Sequence, residues 1–276
     1  MSFTEVDISE AIIRGYHKKL LDRLTSDAII VGAGPSGLVA AMDLADRGHK
    51  VTVIEKRLTP GGGVWGGAMA MNEVVIQDQA LPLLERLGVS REDIGKGLFR
   101  TDAIELAAAL TLHAVQSGAV VLNMMVAEDL CVHDGHVRGV VVNRTGATAP
   151  LPIDPLTLHA RTVVDATGHD AALVAMLQRR ALIEPQTVGG EGPMDAVEGE
   201  RFVVKHAGEI YPGLWVSGMA VCAAYGGPRM GPIFGGMLLS GRRCAEQLNH
   251  ALGRSVRPRT HSPVTQGNSD DQRTTD

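Results

Sequence analysis

The sequence predicts an α/β fold with a mainly parallel central sheet and an added β-hairpin region. Three observations point to it: a strand, glycine turn, helix and strand in succession near the start, a later apolar strand ending in Ala-Thr-Gly, and an Asp-Gly pair between two apolar runs. The first implies parallel pairing, because consecutive strands joined through a helix run in the same direction. The last is the mark of a two-residue hairpin.

Taken in chain order, Ile8, Ala11, Ile12, Tyr16, Leu20 and Leu24 recur at helical spacing, which predicts a packing helix over 8–24. A strand over 28–31, a helix over 36–47 and a strand over 50–55 make the βαβ unit. Three successive glycines after Pro60 predict a loop without regular structure over 58–69. Residues 101–117 read as an amphipathic helix and 120–126 as a strand; Asp134-Gly135 marks the hairpin turn, and 162–166 and 214–217 are further strands. Beyond Arg254 the text is polar and unpatterned, so a disordered tail over 255–276 follows a single domain over 1–254.

With 276 residues, 45% hydrophobic and 21% charged, the chain can bury a substantial core. A formal net charge of −5 without a Lys/Arg run argues against nucleic acid or an anionic membrane as partner. No stretch reaches the about 18 apolar residues of a membrane span, and the N-terminus lacks the apolar core of a signal peptide, so the cytoplasm is expected. Cys131, Cys222 and Cys244 are odd in number and lack metal-ligand spacing, which predicts free thiols in a reducing compartment. Met124, Met125, Met230 and Met237 are expected to fill the core, and Trp65 either lines a pocket or packs its loop.

Gly32-Ala33-Gly34-Pro35-Ser36-Gly37 is G-x-G-x-x-G between a strand and a helix, with Glu55 closing the next strand. Gly32 permits the tight turn, Gly34 lets the backbone approach a pyrophosphate, and Gly37 allows close helix–strand packing, while the helix N-terminus attracts the anion. Glu55 would accept hydrogen bonds from ribose hydroxyls. The unit is Rossmann-like and binds an adenine dinucleotide; the motif alone leaves FAD and NAD open. A flavoprotein-type chain continues with a strand ending in Ala-Thr-Gly and a late strand ending in Gly-Asp. Here Asp165-Ala166-Thr167-Gly168 supplies the first landmark, but Met219 follows Gly218 where the second wants an acid. With no carboxylate for the ribityl hydroxyls of a flavin, the smaller ADP-ribose ligand is favoured.

Several stretches together resemble the thiamine thiazole synthase family, in its archaeal and bacterial sulfide-dependent branch: VGAGPSG at 31–37, PGGGVWGGAM at 60–69, DPLTLHARTVVDATGHDA at 154–171, and GLWVSGMAV with GGPRMGPIFGGMLLSG within 213–241. The resemblance covers about residues 8–250. It implies an enzyme that consumes NAD as a substrate, releases nicotinamide, and joins the ADP-ribose part with glycine and sulfide into an ADP-linked thiazole carboxylate, using Fe(II). It also implies that Ser36, Glu55, Lys56, Gly63, Ala127 and Met219 contact the dinucleotide, and that Arg229 grips the glycine carboxylate with a bidentate fork. Asp154 and His169 fit the family's iron ligands, with Asp154 reaching in from a neighbouring protomer of a homo-oligomer, an octamer in this family. One carboxylate and one imidazole suit a divalent ion with positions left open for substrate.

Two departures stand out. In the eukaryotic branch a Cys two residues before the Asp-Pro acid donates its own sulfur, and many archaeal relatives carry His there; this chain has Pro152, which offers neither sulfur nor a metal lone pair. The stretch Ala220-Val221-Cys222-Ala223 also lacks an acid that relatives carry. Taken singly, Asp154 before a proline commonly opens a turn and His169 after a glycine turn commonly caps a helix. Three other functions therefore compete: an FAD-dependent oxidoreductase, an isomerase of an ADP-ribose-like ketose, and a non-catalytic nucleotide-binding protein.

Overall fold

The computed structural model describes residues 3–146, 153–184 and 190–253. Its first elements are α1 (Glu5–Asp22), β1 (Thr25–Val31), α2 (Pro35–Asp46) and β2 (Val51–Glu55), so the βαβ unit forms where the sequence puts it. Then come β3 (Glu73–Gln77), α3 (Leu81–Leu87), β4 (Glu92–Gly95), β5 (Leu98–Asp102), α4 (Ala103–Gln116) and β6 (Val120–Asn123). The hairpin strands are β7 (Met125–His133) and β8 (His136–Arg144), followed by β9 (Leu156–Asp165) and α5 (Ala172–Arg179). The last part holds β10 (Gly192–Met194), α6 (Ala196–His206), β11 (Gly208–Tyr211), β12 (Leu214–Val216), α7 (Met219–Tyr225), β13 (Pro228–Arg229) and α8 (Gly235–Leu252).

The main sheet runs β11-β12-β9-β1-β2-β6, with β8 pairing the outer part of β9 and β7 pairing β8. β12, β9, β1, β2 and β6 are mutually parallel; β11, β7 and β8 join antiparallel. This is the Rossmann-like, flavoprotein-type α/β fold with a mainly parallel sheet and an added hairpin. Alternation along the strands divides the apolar residues between two cores: Ile30 and Val164 join α2, α4 and α8 on one face, while Ile29 and Val163 join β7, β8, α5 and α7 on the other. Helix α2 is buried from Pro35 to Ala45, and each of its leucines contributes roughly 1.5–3 kcal/mol by leaving water.

The hairpin turns at Asp134 (φ +52°) and Gly135 (φ +68°), two consecutive left-handed residues as its primed turn requires. Four expectations need correction. The helix foreseen over 8–24 forms earlier, because Thr4 and Asp7 build a reciprocal capping box, and none of its residues is buried, so it touches the described chain only along one edge, through Tyr16 and Leu20. The glycine stretch is not wholly irregular: Gly62–Gly66 form a 3₁₀ turn, closed by the Trp65 indole N–H donating to the Pro60 carbonyl at 2.5 Å. The strand foreseen over 120–126 breaks at Met124, whose φ of +58° ends β6 and redirects the chain into β7, leaving Met124 exposed rather than in the core. β9 begins well before residue 162, its first half hidden by exposed Thr157, His159 and Arg161 alternating with inward residues. Among the described residues no helix is long and apolar enough to cross a membrane. The tail over 255–276 and Pro152 lie outside the described residues.

Candidate functional site

Three parallel strands end side by side, with Val31 opposite Asp165 and Asp165 opposite Val216. Each is followed by a glycine turn, and these turns open a crevice at the carboxyl edge of the sheet, where ligands bind in open α/β folds. Gly32 has φ +106°, and a Cβ there would lie 2.2 Å from the Ala166 carbonyl oxygen. A Cβ on Gly37 would meet the Gly32 carbonyl oxygen at 2.1 Å, so Gly37 serves helix–strand packing and stands outside the cavity wall. At Gly34 a Cβ would meet nothing within 4 Å: this is the point where α2 starts, without a side-chain cap, facing open space. The free N–H groups and dipole of that helix end favour an anion.

The crevice deepens into a cavity of about 860 Å³. Gly32, Gly34 and Ser36 form its floor, Glu55 and Lys56 enter from the end of β2, and Gly63 and Ala127 come from the glycine loop and β7. At the far end stand Gly168, His169, Met219 and Arg229. Thus every residue carried over for the dinucleotide lines one cavity together with Arg229 and His169. Glu55 is buried; its Oε2 accepts from Ala33 N–H at 2.9 Å and its Oε1 from Arg57 N–H at 2.8 Å, which fixes the carboxylate while leaving lone pairs for hydroxyl donors. Lys56 Nζ lies 3.5 Å from Asp170 Oδ2, both at the surface. Met125, Met230 and Met237 line the cavity as well as packing, whereas Trp65 packs against the core and is not part of the wall.

Fully buried Asp165 shapes the turn that carries His169. One of its oxygens accepts from the Thr167 N–H and hydroxyl at 3.0 and 2.7 Å, the other from Leu173 and Val174 N–H at 2.8 and 3.0 Å. Burial pushes its carboxyl pKa up, and the Thr167 hydroxyl opposes that shift. His169 Nδ1 stands 2.5 Å from Glu191 Oε1, and Arg229 Nε stands 3.3 Å from Glu191 Oε2. Glu191 is a residue the sequence reading did not single out: it sits between glycines before a short strand, where no periodicity or motif marks it.

Asp154 is exposed at the amino end of β9, whereas His169 follows its carboxyl end. Ten residues of strand separate them by roughly 30 Å at 3.3 Å per residue. They do not meet within one chain, and among the described residues no group of three or more His, Cys, Asp or Glu gathers as a metal site. The donor chemistry still fits half a site: a cavity-lining imidazole held through Nδ1 by a carboxylate presents Nε2, the arrangement usual for a metal-ligating histidine. No cysteine lines the cavity among the described residues. Cys222 and Cys244 are buried, which pushes both thiols up to about 12, and burial also raises Cys131. None is poised as a nucleophile.

Fold and cavity define a Rossmann-like α/β protein with its site at the carboxyl edge of a parallel sheet. The chain belongs to the Thi4 family, which it matches over residues 9–234. It is 49% identical over 251 residues to the thiamine thiazole synthase of Thermococcus kodakarensis, covering 91% of this chain and 99% of that protein. It is 48% identical over 254 residues to that of Thermotoga maritima, covering 91% and 100%. Among solved structures, the crystal structure of Thermovibrio ammonificans THI4 superposes with a TM-score of 0.87 at 45% identity, covering 91% of this chain and 99% of the other.

Proposed function

We propose that this chain, which its family makes an enzyme of thiamine thiazole synthesis, is the sulfide-dependent kind: it converts NAD, glycine and sulfide to an ADP-linked thiazole carboxylate with release of nicotinamide. The observation that carries the reading is the single cavity that joins the glycine turn of α2 to His169 and Arg229. The turn and Glu55 bind the ADP half of NAD, with the pyrophosphate at the start of α2 and the ribose at the Glu55 carboxylate. The opened ribose then extends toward Met219 and Arg229, whose guanidinium holds the glycine carboxylate beside it. His169 Nε2 and Asp154 of a neighbouring protomer would hold Fe(II), which supplies a Lewis acid and template for sulfur addition when bound. The roughly 30 Å between Asp154 and His169 along β9 makes a homo-oligomer part of this reading.

Sulfur comes from free sulfide in this proposal, because no thiol lines the cavity among the described residues and Pro152 has no sulfur to give. The flavin alternative lacks its carboxylate: Met219 occupies the position and lines the cavity with an apolar side chain. The test is anoxic incubation of the purified protein with Fe(II), NAD, glycine and sulfide, then mass spectrometry of the released small molecules and of the intact chain. ADP-thiazole in molar excess over protein, with the chain mass unchanged, is expected. Recovery of intact NAD alone, or of flavin, would overturn the proposal.

A further inference from the structure

Glu191 touches both of the side chains to which the proposed function gives the chemistry. Its own side chain is 9% exposed, against 62% for His169 and 56% for Arg229. The buried carboxylate is therefore the fixed member of the three, and the two exposed side chains owe their placement to it. In the pairing that the proposed function uses, Glu191 accepts from His169 Nδ1–H across 2.5 Å, and the neutral ring then carries its lone pair on Nε2. Arg229 stands beside the other oxygen as an ion pair, Nε to Oε2 at 3.3 Å, which leaves the four N–H groups of its terminal nitrogens for a second carboxylate.

From this we infer that Glu191 is a positioning residue which holds the metal-ligating imidazole and the carboxylate-gripping guanidinium in one arrangement, and so couples the two binding events. The inference rests on the proposed function for the identity of the two ligands. It adds that neither is bound independently: both side chains lean on the one Glu191 carboxylate, so a ligand that changes the hold on one partner changes the hold on the other, which is a coupling between sites and is reciprocal. The elements involved are the turn after β9, the segment before β10, and β13. β10 and β13 pair, with Met194 opposite Arg229, and the Asp195 N–H donates to the Arg229 carbonyl at 3.1 Å. Glu191 and Arg229 thus belong to one small unit, to which the ring contact ties His169.

The test compares the full-length wild type with Glu191→Gln and Glu191→Asp. Co(II), whose visible spectrum reports its ligand field, is titrated in the absence of substrates, and glycine and NAD kinetics are measured separately with Fe(II) and sulfide. Glu191→Gln is expected to weaken Co(II) binding by about 10–100-fold, the usual effect of losing a carboxylate behind a ligating histidine. It is expected to raise the KM for glycine about tenfold, as loss of the ionic partner that holds the Arg229 guanidinium entails, while the KM for NAD stays within about twofold. Glu191→Asp, with its shorter carboxylate, recovers part of both effects. Co(II) affinity and glycine KM both within about twofold of wild type in Glu191→Gln would overturn the inference. Should that variant fail to fold, Co(II) titration of Arg229→Ala decides: an altered affinity supports the bridge and an unchanged one overturns it. If the wild type makes no ADP-thiazole, the functional reading fails, and the Co(II) comparison alone decides the role of Glu191.

Discussion

Glu200 shows how one side chain can set a pH response away from the cavity. It is a residue of α6 whose Oε2 accepts from Gly236 N–H at the start of α8, at 2.6 Å, and from the Gln77 amide of β3, so it ties α6 and the small sheet to the last helix. Its Oε1 is buried without a partner. Burial pushes its pKa up to about 7, against the pull of the two donors. The folded state therefore holds the proton more tightly than the unfolded chain, and the sign follows: this group favours folding most below its ordinary value of 4.5 and loses that contribution as pH rises to about 7. The loss amounts to ~3 kcal/mol at most, at 1.36 kcal/mol per pH unit. Glu200→Gln keeps an oxygen for Gly236 and cannot ionise. Urea unfolding at pH 5 and pH 8 should show the variant gaining on the wild type by up to that amount; parallel curves would mean that Glu200 ionises freely. The same scale explains what could be read from the chain beforehand. Gly32, Gly34 and Glu55 were legible because a glycine turn between strand and helix has one mechanical purpose, whereas Glu191 acquires its role only when β10, the strand that follows it, pairs with β13.

At the scale of elements, α1 is the anomaly. It is capped at its start and has an apolar stripe, yet Val6, Ile12, Ile13 and Leu21 are 60–72% exposed. A helix of 18 residues that buries nothing gains little from packing and is marginal alone in water. Its anchors are the Arg144 guanidinium over the Tyr16 ring at 5.4 Å, and Leu20 against the second core. Under the proposed function a second copy of the chain would cover that stripe, since the proposed site of His169 and a distant Asp154 requires one as well. Ile12→Asp with Ile13→Asp should then shift the particle to a smaller size in light scattering and reduce thiazole formation; an unchanged mass would free α1 of that role. The helical spacing over 8–24 was readable, but its destination was not, because periodicity reports that a face is apolar and says nothing of what covers it. β3, β4 and β5 went unread for a related reason: their sheet is held by register with one another and by contacts to α8, not by a strong alternation of their own.

On the scale of the whole molecule, the site is less acidic than the chain around it. The chain carries a formal −5, yet Lys56, Arg57 and Arg229 at the cavity stand beside Glu55, Asp170 and the Glu191 carboxylate, which balance them. An acidic protein repels a dinucleotide at long range, so affinity for NAD has to come from close contacts: the start of α2, the Glu55 carboxylate and the cationic end of β2. Those contacts draw on separate parts of the chain: the floor comes from the turn after β1, one wall from β2 and the glycine loop, and the far end from segments after β9, β12 and β13. Unfolding would take these segments apart, so NAD, the ligand of the proposed function, would bind the folded state alone. Linkage then sets the size of the effect: NAD at 100 times its dissociation constant adds ~2.7 kcal/mol to folding. For a chain of this length that corresponds to a rise in Tm of about 5–10 °C. Differential scanning fluorimetry with NAD, and with ADP-ribose as the truncated ligand, measures it without turnover. ADP-ribose should give most of the shift, because the α2 turn and Glu55 address the ADP half. A shift with NAD and none with ADP-ribose would move the main binding contacts to the nicotinamide end, and absence of both would remove the dinucleotide from the cavity altogether.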